Sequence, residues 1–140
     1  MKIDLCQTNI IWENKELNLQ KAENLISESK SEVLFFPEMS FTGFSMNTDL
    51  TGEKDNFTVN YMQKLTVKYN KSAAFGWVYK NKEKAENHYT FIDSKGNILS
   101  DYVKIHPFSY SGEDKYFKGG NKINIFRYEN FNICNFICYD

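Results

Sequence analysis

The sequence predicts an α/β fold with one mixed sheet, parallel at its start and antiparallel in its middle. Apolar and polar residues alternate from Met1 to Thr8, a helical pattern follows, and residues 32–37 are apolar, which together favour a β-α-β unit. From Ala73 to Lys104, strand patterns follow one another around short turns, as in an antiparallel meander. Of the 140 residues, 41% are hydrophobic, enough for one domain with a core.

The first half of the chain contains two predicted helices. Asn14 is expected to cap a helix that ends near Ser29 to Ser31 and buries Leu17, Ala22, Leu25 and Ile26. Residues 32–37, apolar on both faces, fit a central strand. Residues 39–56, rich in Gly, Asn and Asp, are predicted to be a loop that shapes a substrate site. A second helix is predicted from Phe57 to Tyr69, with a core-facing stripe of Tyr61, Met62, Leu65 and Tyr69.

The second half is predicted to be mainly β-structure. Strands over 73–79 and 87–93 flank a charged turn from Lys80 to Glu86, and a turn with Gly96 at positive φ leads into a strand over 98–104. Residues 106–122 are expected to form a loop. A hairpin about residues 129–130 then joins strands over 123–127 and 131–137, the second of them buried, with Cys138 at its C-terminal edge.

Three of these strands end at reactive side chains. The strand over 32–37 ends in Pro37 and delivers Glu38, the strand over 98–104 delivers Lys104, and the last strand delivers Cys138. Because α/β proteins place chemistry at the carboxyl ends of strands, a carboxylate, an ammonium and a thiol are expected to meet at one edge. Each also has an ordinary interpretation: a buried apolar Cys, a loop or helix-cap carboxylate, and a solvated Lys at a strand end.

Three local sequences resemble the nitrilase superfamily, the carbon-nitrogen hydrolases. They are Phe35-Phe36-Pro37-Glu38-Met39, Tyr102-Val103-Lys104-Ile105-His106 running on to Gly112-Glu113, and Ile137-Cys138-Tyr139-Asp140. The resemblance implies that Glu38 is a general base, Cys138 the nucleophile, and Lys104 and Glu113 further catalytic residues. From residue chemistry alone, Glu113 is simply an acidic loop residue. The run from Phe41 to Met46 is similar to the omega-amidase branch of the superfamily.

The resemblance also implies a fold and an assembly. Full subunits of this superfamily are four-layer αββα sandwiches, so residues 1–140 are expected to be the N-terminal half of one domain, truncated after the nucleophile, with the C-terminal half absent. A full-length subunit is expected to form a homodimer or larger homo-oligomer. The 140-residue chain alone is expected to show little turnover.

The chemistry of these residue types fits amide hydrolysis. A thiol with an ordinary pKa of about 8.5 is mostly protonated at neutral pH and needs a base, which Glu38 supplies. Lys104 and the backbone N–H of Tyr139 would stabilise the oxyanion. The expected function is an omega-amidase-like cysteine amidase for a short dicarboxylic monoamide. The alternatives are an N-carbamoyl amine hydrolase or nitrilase of the same superfamily, and a non-catalytic half-domain that needs a partner.

Composition argues against other classes of protein. A net charge of −1 and a pI of about 6.1 provide no basic field for nucleic acid or membranes. With three cysteines, no signal peptide and no long apolar run, the chain is predicted to be cytoplasmic with reduced thiols. No metal or cofactor is expected, because Cys134 and Cys138 would lie about 13 Å apart on a strand, and His88 and His106 lack ligand spacing.

Overall fold

A computed structural model, which describes residues 1–81 and 83–140, contains a mixed five-stranded sheet. Its strands are β1 (Ile3–Leu5), β2 (Val33–Phe35), β3 (Ser72–Tyr79), β4 (Glu86–Ile92) and β5 (Ile98–Val103), in that spatial order. β2 is parallel to β1 and to β3, whereas β3, β4 and β5 are antiparallel. The predicted mixed sheet is therefore confirmed. The charged turn predicted over Lys80 to Glu86 includes Lys82, which lies outside the described residues.

In the described residues, two long helices and three short helical segments connect the strands. They are α1 (Lys15–Glu28), α2 (Thr48–Thr51), α3 (Phe57–Tyr69), a 3-10 turn (Ser109–Ser111) and α4 (Glu113–Tyr116). The Asn14 side chain caps α1 by accepting a 3.1 Å hydrogen bond from the backbone of Leu17, as predicted. Both predicted loops contain short helical segments: α2 lies in 39–56, and the 3-10 turn and α4 lie in 106–122. None of the helices in the described part of the chain is long and apolar enough to span a membrane.

The helices α1 and α3 cover one face of the sheet. Met62 and Leu65 of α3 are buried in this core, and Tyr61 and Tyr69 pack against it, in agreement with the predicted stripe. The buried face of α1 is rotated from the predicted one, because Leu17 and Leu25 are exposed. Its core positions are Leu19, Ala22 and Ile26, at helical intervals of three and four residues.

A two-stranded hairpin covers part of the other face. Its strands, β6 (Ile125–Tyr128) and β7 (Phe131–Cys134), turn at residues 129–130, as predicted. Phe126 and Ile133 of the hairpin pack on the buried face formed by Val33, Ala74 and Phe91. The prediction that the last strand reaches residue 137 is wrong. β6 begins at Ile125, which pairs with Cys134. The residues after Cys134 therefore have no hydrogen-bonding partner in β6.

The burial predicted for this last segment is also only partly correct. Phe131 and Phe136 are exposed and Ile133 is half-buried, whereas Ile137 is buried. An isolated two-stranded ribbon shields only the side chains that face the sheet. The segment is therefore not the buried strand that its apolar composition indicated.

Self-association of the chain is expected at the edge of this second face. Ile3 and Leu5 of β1, 49% and 78% exposed, pair in register with Val33 and Phe35 and so extend the apolar face beyond the hairpin. Exposed apolar strand edges attract further chains. Light scattering after size exclusion should show species larger than a monomer, and Leu5→Lys should shift them toward the monomer. Leu50→Lys, at an exposed position on α2, is the matched control, and a monodisperse wild-type monomer would contradict the prediction.

Stability is expected to fall at alkaline pH through His88 on β4. Its Nδ1 lies 3.0 Å from Asp101 Oδ2 and its Nε2 lies 3.1 Å from Glu86 Oε2. Burial of the ring disfavours its charge, but the two carboxylates outweigh burial and raise the pKa of His88. Because the folded pKa lies above the unfolded value of about 6.5, this stabilisation is complete below that pH and is lost as pH rises through the folded pKa.

Urea unfolding at several pH values measures the contribution of His88. The free energy of unfolding should decrease above about pH 6.5 with a slope of at most about 1.4 kcal/mol per pH unit, the value for one proton. The slope should disappear in His88→Gln and persist in His106→Gln, because His106 is exposed. Equal slopes in the wild-type chain and in His88→Gln would refute the assignment.

Candidate active site

Glu38 is positioned by a close contact between the residues around it and strand β3. The amide of Gly76 donates to Ser40 Oγ at 2.9 Å, and the amide of Ser40 donates to the Gly76 carbonyl at 3.0 Å. A Cβ atom at Gly76 would lie 2.4 Å from the backbone nitrogen of Met39, so only glycine permits this approach. Sequence analysis did not identify Gly76. The available signal was a single glycine inside a buried strand.

Lys104 lies directly after β5 and is buried between two carboxylates. Its Nζ is 2.7 Å from Glu38 Oε1 and 2.9 Å from Glu113 Oε2, and the Lys104 side chain is 1% exposed. Burial disfavours the ammonium, but the hydrogen bonds and charges of both carboxylates outweigh it and raise the pKa of Lys104. Lys104 therefore remains a buried cation, and its interpretation as a solvated strand end is wrong.

Glu113 differs from the ordinary acidic loop residue that its sequence context indicated. It is the first residue of α4, and its side chain is 0% exposed. Besides Lys104, its Oε2 accepts a 2.6 Å hydrogen bond from the backbone amide of Phe108. Within three positions of Glu113 in the sequence, five residues are exposed and polar or aromatic, so local composition does not reveal this burial.

Asn87 on β4 is a site residue that sequence analysis missed. Its Nδ2 donates to Glu38 Oε1 at 2.7 Å and to Glu113 Oε1 at 3.1 Å, and the residue is almost fully buried. Together with Lys104 it joins the two carboxylates into one closed polar cluster. The only signal in the sequence was an amide at the first position of the strand predicted over 87–93, because Asn is depleted in strands.

Cys138 lies in a turn four residues beyond β7 and not at the end of a strand. Its φ is +47°, and the amide of Asp140 closes the turn on the Ile137 carbonyl at 3.0 Å. A side chain other than glycine in this left-handed region is strained, and such strain is concentrated at functional sites. Cys134 and Cys138 do not share a strand, so the distance used against a metal site does not apply. The described residues nevertheless contain no group of three potential metal ligands.

Asp140 fastens this turn to the end of β5, where Lys104 lies. Its buried carboxylate accepts a 2.7 Å hydrogen bond from the Tyr102 hydroxyl and a 2.9 Å hydrogen bond from the His106 amide. Burial opposes the negative charge, but these donors outweigh it and lower the pKa of Asp140. Sequence analysis did not assign Asp140 a role, because the partners are distant in sequence.

Glu38 and Cys138 line the same cleft, which has a volume of about 320 Å³ and includes Tyr89 and Phe136 in its wall. Partial burial, followed by the negative charge of Glu38, raises the pKa of the Cys138 thiol, while Lys104 opposes the increase. The thiol is therefore protonated at neutral pH, with a carboxylate beside it. Across the described chain, no hydrogen bond occupies the backbone N–H of Tyr139, the predicted oxyanion donor.

The predicted residues thus lie in one place, and the preceding loop borders them. The Phe44 ring centroid is 5.5 Å from Lys104 Nζ, so the loop predicted to shape the site does contact it. The site combines a buried ion pair, a protonated thiol beside a carboxylate, and a free backbone N–H in a strained turn. This combination is suited to acyl transfer through sulfur.

The chain belongs to the carbon-nitrogen hydrolase family, whose model matches residues 2–140. This confirms the resemblance to the nitrilase superfamily. The chain is 24% identical to omega-amidase YafV of Yersinia enterocolitica over 141 aligned positions and 29% identical to 2-oxoglutaramate amidase of Bacillus subtilis over 143. The alignments cover 100% and 99% of this chain, but it spans only about 55% of the length of these curated relatives.

Solved structures show the same fold. A CN-hydrolase superfamily protein from Xanthomonas campestris, with an arsenic adduct in its active site, matches with a TM-score of 0.90 at 19% identity over 99% of this chain and 53% of that one. A mutant amidase from Nesterenkonia sp. AN1, with acrylamide added to its active-site cysteine, matches with a TM-score of 0.89 at 15% identity, covering 99% and 57% of the two chains. The chain therefore corresponds to about half of each fold.

Proposed function

We propose that this chain carries the nucleophile and the general base of a cysteine-dependent amidase of the omega-amidase type. Its substrate would be the terminal amide of a short dicarboxylic acid monoamide, which is hydrolysed to the acid and ammonia. The observation that supports this most is the Glu38 carboxylate, which is bound to the buried Lys104 ammonium and lines one cleft with Cys138. The names of two relatives, omega-amidase and 2-oxoglutaramate amidase, support this substrate class.

In the first half of the reaction, Cys138 Sγ attacks the amide carbon while Glu38 takes the thiol proton. Because burial and the neighbouring carboxylate raise the pKa of Cys138, deprotonation must accompany attack and does not precede it. Glu38 then gives this proton to the leaving nitrogen, so ammonia departs and a thioester remains on Cys138. In the second half, Glu38 takes a proton from water, the water attacks the thioester, and the proton returns to Cys138.

Lys104 and Tyr139 would stabilise the two tetrahedral intermediates. The ammonium of Lys104 is fixed by Glu38 and Glu113, and the N–H of Tyr139 follows the nucleophile in the turn. Fixed donors need no reorganisation as negative charge develops on the carbonyl oxygen. Glu113 would act through Lys104, because its hydrogen bonds lie within the buried cluster.

Substrate profiling tests the proposed function. Ammonia release would be measured with short dicarboxylic monoamides, N-carbamoyl amines and nitriles, on the chain alone and with a supplied C-terminal segment of a relative. Preference for the monoamide is expected, with little turnover by the chain alone because one sheet face remains partly uncovered. Preference for a carbamoyl amine or nitrile would contradict the omega-amidase assignment. Robust turnover by the chain alone would contradict the need for further structure around the cleft.

A further inference from the structure

We infer that Asn87 is a positioning residue for the general base, an inference that rests on the proposed function for the role of Glu38. The side chain of Asn87 reaches from β4 into the buried cluster and bridges both carboxylates through Nδ2, at 2.7 Å from Glu38 Oε1 and 3.1 Å from Glu113 Oε1. Its backbone carbonyl also accepts a 2.9 Å hydrogen bond from the Lys104 amide. Asn87 is therefore connected to all three charged residues of the cluster.

The orientation of the Asn87 carboxamide indicates that its role is to donate hydrogen bonds through Nδ2. Asn87 Oδ1 is buried and accepts no hydrogen bond from the residues that the structure describes. Leaving a buried acceptor unpaired is costly. In the opposite orientation, Oδ1 would face two carboxylate oxygens. The repulsion between these oxygens would cost more free energy than the unpaired acceptor does. The two carboxylates thus fix which end of the amide faces them, even though the other end remains unsatisfied.

This arrangement assigns different tasks to the two oxygens of Glu38. Oε1 accepts from both Lys104 Nζ and Asn87 Nδ2, at 2.7 Å each. The hydrogen bonds from Lys104 and Asn87 do not use Oε2, and the Cys138 thiol lies in the same cleft, where it hydrogen-bonds to the Glu38 carboxylate. Asn87 therefore stabilises the ionised carboxylate and restrains its rotation, which leaves Oε2 to take the thiol proton.

Alkylation of Cys138 by iodoacetamide tests the positioning role of Asn87 without requiring amidase activity. The measured quantity is the alkylation rate at about pH 6 divided by the rate at about pH 9, because the thiol is protonated at pH 6 and partly ionised at pH 9, so the rate depends more strongly on the base at the lower pH. Loss of one hydrogen bond to a charged acceptor should lower this ratio about tenfold in Asn87→Leu. Mass spectrometry of the peptide distinguishes Cys138 from Cys6 and Cys134.

Controls separate positioning from general loss of stability. Asn18 is also a buried bridging amide, donating to the carbonyls of Ile11 and Phe41 away from the cluster, so Asn18→Ala should destabilise the fold and leave the ratio unchanged. Glu38→Gln removes the base together with the negative charge that raises the pKa of Cys138, so its ratio shows these two effects combined. Asn87→Ala, which also removes the donor but has a smaller apolar side chain, serves if the leucine variant does not fold.

The outcomes for Asn87 and for the proposed function are distinguishable. A tenfold lower ratio in a folded Asn87 variant, without any amide hydrolysis by the parent protein, would support positioning and reject the proposed function. Amide hydrolysis by the parent protein, with an unchanged alkylation ratio in the folded Asn87 variant, would support the proposed function and reject the positioning role of Asn87. An equal decrease in Asn18→Ala would also overturn the inference, because the effect would then follow from stability alone.

Discussion

With a C-terminal segment of a relative supplied, replacement of Cys138 with alanine is expected to abolish the acyl-enzyme and to lower turnover by about 10⁴-fold or more, as loss of a nucleophile does in comparable hydrolases. The thiol is the group that the strained turn presents to the cleft, at φ +47° and beside Glu38. Intact-protein mass spectrometry after brief exposure to substrate should detect a thioester adduct in the wild-type protein. The Cys138→Ala protein should carry none.

Two further variants make this result specific. Glu38→Gln should prevent formation of the adduct while the fold remains intact, because the amide cannot accept the thiol proton as a carboxylate does. Cys6→Ala is the matched control, since burial, followed by the charge of Asp4, raises the pKa of the Cys6 thiol to about 11 and makes it unreactive. An adduct that persists in the Cys138→Ala protein would show that another residue is the nucleophile.

The sequence predicted the elements whose apolar pattern is regular and whose partners are near. The bounds of α3, the cap at Asn14 and the turn at Gly96, whose φ is +84°, agree with their predictions. The register of α1 was mispredicted because Leu17 and Leu25 also fit a helical stripe, and only packing decides between two neighbouring stripes. Local patterns thus fix the type of an element better than its buried face.

In the candidate site, local patterns likewise did not predict the contacts between residues that are distant in the sequence. Glu38, Lys104 and Cys138 follow apolar segments and could be selected from sequence, whereas Asn87 and Asp140 could not. The Asn87 side chain meets Glu38 across 49 positions of sequence, and Asp140 meets Tyr102 across 38. These contacts depend on how strands and turns assemble. Cys138 was placed on a strand because its segment is apolar, although the hairpin partner ends opposite Cys134.

Removal of the buried cation should have the largest effect on stability. Lys104→Met keeps the length and apolar stem of the side chain but leaves the carboxylates of Glu38 and Glu113 facing each other without an ammonium. Breaking one partner of a buried ion pair typically costs about 3–5 kcal/mol, because the remaining charge stays desolvated. Urea unfolding should show a decrease of this size in the free energy of unfolding.

The origin of that loss can be tested by removing the uncompensated charge as well. Adding Glu113→Gln to Lys104→Met should recover part of the lost stability, since the fully buried carboxylate is then neutral, and the resulting coupling energy measures the interaction directly. Lys68→Met provides an exposed comparison, because Lys68 and Glu23 form a pair of similar length, 2.8 Å, at the surface, where solvent screens it. If Lys104→Met and Lys68→Met lost equal stability, the buried cluster would not be a strongly coupled unit, and the fixed orientation of Glu38 would have to come from backbone contacts around Gly76 instead.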